Sequence, residues 1–182
     1  MRIAVIGWGS LIWSERTLKV EEGDWKPDGP KLPIEFSRIS TDNRLTLVID
    51  PEFDNVETYW KMSTLTNLEE ACQNLQERED TPDVEDIGFI DLEHRVHQIR
   101  RPNMFLLGRL SQWGTEKGLD ALIWTELEPK FEARTGKEFN LENINEFIRG
   151  LSGIELERAR EYIEMAPPQT QTRLRKDIMS CF

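Results

Sequence analysis

Two stretches of this chain hold residue types that do chemistry when a fold brings them together. At the start, residues 1–6 (Met-Arg-Ile-Ala-Val-Ile) run into Gly7-Trp8-Gly9-Ser10-Leu11-Ile12-Trp13. A strand this apolar is of the buried, central kind, and a Gly-rich turn after it presents free backbone N–H groups on a rigid base. Such a row suits an anion. Further on, an acid stands where a helical pattern asks for a hydrophobe. Thr66-Asn67-Leu68-Glu69 has the form of a capping box, and the helix it opens should run to residue 79 or 80 and stop before Pro82. Leu68, Cys72 and Leu75 mark its core-facing stripe. At about 100° per residue, Glu79 lies about 20° from Leu68, while Glu77 points away. A carboxylate pressed against a core loses its water, which is one way to prepare a general base. The alternative is a helix frayed by residue 79, with the side chain turned to solvent.

Other chemistries fit less well. Gly7-x-Gly9 after a strand begins a dinucleotide fingerprint, but its third small residue would fall at Ile12, followed by Trp13. Gly23, Pro27, Gly29 and Pro30 also bar a long crossover helix. His94 and His97 form a His-x-x-His pair, and no further histidine exists to complete a metal site. The expectation is no metal and no cofactor. Cys72 and Cys181 are too few for a disulfide framework and are expected as reduced thiols.

Around these candidates, composition is that of a soluble globular chain: 182 residues, 38% hydrophobic and 31% charged, enough for a single domain over 1–182. A net charge of −11, with no basic block beyond Arg173-Leu174-Arg175-Lys176, argues against nucleic acid. Those four residues are expected as a solvated face or a helix-end charge complement. There is no run of 18 apolar residues and no signal peptide, so no membrane and a cytoplasmic location are expected. Whether the protein is a monomer or a homodimer stays open.

The elements that must position the two stretches are strands first and helices later. Residues 32–40 alternate, residues 44–49 follow a turn at Thr41-Asp42-Asn43, and residues 56–62 alternate again. A further strand is expected over 85–92, a helix begun by Pro102 up to Trp113, and a late strand over 119–127. Beyond it, Asn140 caps a helix to about Gly150, and Ser152-Gly153-Ile154-Glu155 forms a second capping box opening a helix to Met165. A last helix is expected over 169–179. The fold class is α+β: a mixed β-barrel of about five to seven strands with flanking helices and a helix-rich C-terminal half.

Three stretches together resemble the γ-glutamylcyclotransferase family, most closely its glutathione-degrading ChaC branch. Trp8-Gly9-Ser10-Leu11-Ile12-Trp13 is similar to the family's Tyr-Gly-Ser-Leu turn. Phe36-Ser37-Arg38-Ile39-Ser40-Thr41-Asp42-Asn43-Arg44 is similar to its Phe, Ser and Asp-His-Arg pattern. Trp60-Lys61-Met62 and the helix ending Leu75-Gln76-Glu77-Arg78-Glu79 look like its Leu-Asp-x-x-Glu or Leu-Asp-x-Arg-Glu segment, whose last Glu is catalytic. The likeness covers residues 3–92. Trp8 stands for the family's Tyr, Gln76 for its Asp and Asn43 for its His, and Gly88-Phe89 is the best match to a following Gly-Tyr.

The resemblance implies a γ-glutamyl amide substrate, converted to 5-oxoproline and a free amine. Glu79 would be the general acid and base, with Trp8, Gly9, Ser10 and Leu11 binding substrate and no metal or cofactor. The departures leave an alternative: a non-catalytic member of the fold that binds a carboxylate ligand or a partner.

Overall fold

The computed structural model describes residues 1–100 and 103–182. Pro102, expected to begin a helix, lies outside the described residues. Eight strands are described: β1 (Ile3–Gly7), β2 (Leu32–Ile39), β3 (Leu45–Ile49), β4 (Asn55–Val56), β5 (Tyr59–Met62), β6 (Ile87–Asp91), β7 (Val96–Gln98) and β8 (Ala121–Thr125). Six helices accompany them: α1 (Leu68–Glu79), α2 (Met104–Glu116), α3 (Phe131–Thr135), α4 (Leu141–Gly150), α5 (Gly153–Met165) and α6 (Arg175–Met179). The fold is α+β, with the helices concentrated late, as expected. Among the described residues the strands do not close into a barrel. They form two open sheets, and the chain divides into two compact units.

The first unit, Met1–Leu32 with Glu57–Leu127, holds the five-stranded sheet in the order β5-β1-β8-β6-β7. β1 runs parallel to β8 and antiparallel to β5, so it has a neighbour on each side. All five of its residues are buried, which its unbroken apolar run requires. Successive side chains leave a strand on opposite faces. Ile3, Val5, Ala121 and Ile123 therefore share one face and pack against Ala71 and Leu75 of α1. The other face carries Leu122 and Trp124, and α2 packs against β6 and β8. There Gly114 comes so near Leu122 that a Cβ would stand 3.2 Å from it. The segment expected as one strand over 56–62 is broken at Thr58, whose hydroxyl instead donates to the Pro30 carbonyl at 2.6 Å.

Gly88 has a packing role in this sheet. A side chain there would run into the indole of Trp124, which is fully buried and donates its Nε1–H to Glu126.

The second unit, Pro33–Val56 with Glu128–Phe182, holds the sheet β3-β2-β4. β2 and β3 form the expected hairpin, with a one-residue bulge between Glu35 and Arg38. Asn43 takes the left-handed turn position at φ 60°, where asparagine is tolerated. α5 packs on β3, and α4 and α5 both meet α6. Asn140 caps α4 through Asn143, as its position implies. The Ser152–Glu155 capping box does not form: Ser152 makes no side-chain cap, and Glu155 accepts from Asn43 Nδ2 at 2.9 Å instead. Only Arg175–Met179 of the last segment is helical. Arg175 is not a solvated cation; it donates to the carbonyls of Ile163, Ala166, Pro167 and Thr170, closing the C-terminal end of α5.

β2 also buries a carboxylate. Glu35 is fully buried and accepts from the Thr172 hydroxyl at 2.6 Å, the Leu174 N–H at 3.0 Å and the Phe36 N–H at 2.9 Å. Burial raises its pKa above the usual 4.5; the three donors oppose the rise and nearby Asp50 adds to it. A carboxyl whose folded pKa is raised contributes stability that is complete below its ordinary value and is lost as pH climbs through the folded one. The stability of the wild type relative to Glu35→Gln should therefore grow as pH is lowered from 7 to about 5, read by urea titration at each pH. A constant difference would show that Glu35 does not change its proton affinity on folding. Gly88→Ala should cost about 1–3 kcal/mol by overpacking against Trp124, read in the same titration, with the far-ultraviolet spectrum retained.

Candidate active site

The Gly-rich turn and the end of α1 meet within the first unit. After β1 the chain makes one tight turn, closed by Ile12 N–H to the Gly9 carbonyl at 3.0 Å and Ser14 N–H to the Ser10 carbonyl at 2.9 Å. Gly7 allows close approach: a Cβ there would sit 3.0 Å from the Trp25 ring and 3.1 Å from Ile12. Trp8 and Leu11 are buried side chains, Leu11 packing with Val5, Trp25 and Leu75, so any contact from Leu11 to a ligand is through its backbone. Among the described residues the N–H groups of Gly9, Ser10 and Leu11 donate to no acceptor.

From residue 14 to 19 the chain has no strand or helix of its own, and Arg16 takes a left-handed φ of 51°. Its backbone groups still need partners, since an unpaired buried amide or carbonyl is costly. Side chains of α1 supply them. Asn74 Nδ2 donates to the Thr17 carbonyl at 2.9 Å, and its Oδ1 accepts the Lys19 N–H at 2.7 Å. One turn later Arg78 Nη2 donates to the Ser14 carbonyl at 2.5 Å. Glu15 is pinned from the sheet side, accepting from Lys61 Nζ at 2.6 Å and from Trp25 Nε1 at 2.7 Å. Lys61, nearly buried in β5, thereby meets its counter-charge.

α1 ends as the sequence indicates. Asn67 caps its start by accepting from Glu70, rather than Thr66, and Asp80 at φ 53° closes its end after Glu79. Its buried face, however, is Ala71, Asn74, Leu75 and Arg78, rotated from the Leu68-Cys72-Leu75 stripe. Glu79 flanks that face, with 15% of its side chain exposed, and it does not stand alone against apolar groups. Its Oε1 accepts from Arg78 Nη1 at 2.6 Å. Arg78, 4% exposed, also reaches the Ser10 hydroxyl from both Nη atoms at 3.4 Å. The structure thus brings Ser10 and Glu79 onto one guanidinium.

Arg78 and Asn74 are the residues that sequence reasoning missed. Their four-residue spacing, in phase with Ala71 and Leu75, was the available signal. On the same helix, burial pushes the Cys72 thiol up to about 12, helped by Glu69, which leaves it unreactive. His94 and His97 are exposed; His94 pairs with Asp91 at 2.9 Å, and this contact raises the imidazole pKa. Among the described residues no three His, Cys, Asp or Glu side chains cluster as a metal site, and no helix is long and apolar enough to cross a membrane.

Asn74→Ala should cost about 1–3 kcal/mol by orphaning the Thr17 carbonyl and Lys19 amide, with faster proteolytic cleavage within residues 14–19 as the local readout. No protein-family model, curated protein or solved structure matches this chain.

Proposed function

We propose that this chain is a γ-glutamylcyclotransferase-like enzyme, cytoplasmic, that converts a γ-glutamyl amide or peptide to 5-oxoproline and a free amine. One observation carries the reading: Ser10 and Glu79, from two separate stretches of the resemblance, are held by the same buried guanidinium. The N–H groups of Gly9, Ser10 and Leu11 beside them, without an acceptor among the described residues, support it.

In this reading those amides take the α-carboxylate of the glutamyl unit, a charge-assisted contact of the kind Gly-rich turns make. Glu79 removes a proton from the α-ammonium group. The freed nitrogen attacks the γ-carbonyl carbon of the same molecule, closing a five-membered ring. Because nucleophile and electrophile are already joined, the enzyme's work is orientation and proton transfer. The tetrahedral centre then collapses with cleavage of the amide C–N bond. Glu79 delivers the proton to the departing nitrogen, and both protons lost by the α-nitrogen end on the released amine. No step needs a metal or cofactor.

The test is incubation with a panel of γ-glutamyl amides, glutathione among them, with 5-oxoproline as the product measured. Glu79→Gln should lower kcat by at least about a hundredfold, the scale of a lost general base. Absence of 5-oxoproline from every substrate, or full activity in Glu79→Gln, would sink the reading. A carboxylate ligand that raises Tm without turnover, equally in the wild type and in Glu79→Ala, would instead favour a binding module of the same fold.

A further inference from the structure

We infer that Arg78 is the positioning residue of this site, fixing which oxygen of Glu79 acts as the proton carrier; the inference rests on the cyclotransferase reading above. Its geometry divides the carboxylate in two. Oε1 is held at 2.6 Å by Arg78 Nη1, while Oε2 has no partner among the described residues. Oε1 is thus committed to orientation, and Oε2 is the atom left to take and return a proton. The second guanidinium nitrogen, Nη2, is tied to the Ser14 carbonyl and, with Nη1, to the Ser10 hydroxyl. The carboxylate and the Gly-rich turn therefore share one rigid fork, and neither can shift without the other.

The cost of this arrangement argues against a purely structural role. An arginine 4% exposed gives up most of its hydration. Its Nε–H is buried with no hydrogen-bond partner among the described residues. The Ser14 carbonyl alone needs only one neutral donor, as Asn74 provides for the Thr17 carbonyl one turn earlier; a guanidinium is called for because Ser10 and Glu79 are held as well. Nor would lysine reproduce the fork: an ammonium is a point donor on a flexible stem and cannot span the three partners in a fixed plane.

Arg78→Lys separates positioning from stability, and Arg78→Met tests the charge itself. In Arg78→Lys we expect a Tm within a few degrees of wild type. Its kcat for the best γ-glutamyl amide should fall about 10–100-fold, the scale of an ångström-level misplacement, while KM changes less than about threefold. Arg78→Met, with activity corrected for folded fraction by circular dichroism, should lose at least as much kcat. Wild-type kcat in either variant overturns the role. A loss of activity that vanishes after correction for folded protein also overturns it, because it makes Arg78 a strut. Glu79→Gln run alongside separates the two ideas. An inactive Glu79→Gln with an active Arg78→Lys removes only the positioning role, whereas an active Glu79→Gln removes the cyclotransferase reading and the role with it.

Discussion

The first unit depends on a single constraint: residues 14–19 must be held against α1 without forming secondary structure of their own. Backbone donors and acceptors in such a segment have to be met by something. The partners here are two side chains on successive turns of one helix, Asn74 and Arg78. Because they project from the buried face that also carries Ala71 and Leu75, the segment is locked to the core of the sheet. Lys61 and Trp25 add a second grip through Glu15. The position of Ser10, and through Arg78 that of Glu79, follows from this clasp.

The site accordingly has a low share of chemistry in its own backbone turn and a high share in the helix beside it. A Gly-rich turn on a bare strand end would be mobile. Tied at Ser10 and Ser14 to a buried cation, the half-buried turn is anchored to the core. Arg78 is expensive to bury and its Nε has no partner among the described residues, which is the kind of local conflict that sites retain.

Much of this was legible from the chain. The end of α1, the burial of β1, the β2–β3 hairpin and the Asn140 cap follow from local rules that operate over a few residues. The departures from local rules each come from a partner distant in sequence. A stripe drawn through apolar residues alone lies one step off the buried face of α1, because Asn74 and Arg78 are buried by backbone groups some 60 residues earlier. Glu155 left its capping box for Asn43, 112 residues away. Thr58 broke a strand to reach the Pro30 carbonyl. Barrel closure likewise depends on which strand edges meet, and alternation within a strand carries no information on that.

The bond between Glu35 and Thr172 spans 137 residues of chain, and this sets an order of assembly. During synthesis the first unit has every residue it needs once residue 127 is made. The second begins at Pro33, yet its fully buried carboxylate has no donors from Thr172 and Leu174 until the chain has grown past them. Domains fold as units as they emerge. The donors that let β2 bury Glu35 are thus among the last residues made, well after every residue of the unit that carries Ser10 and Glu79.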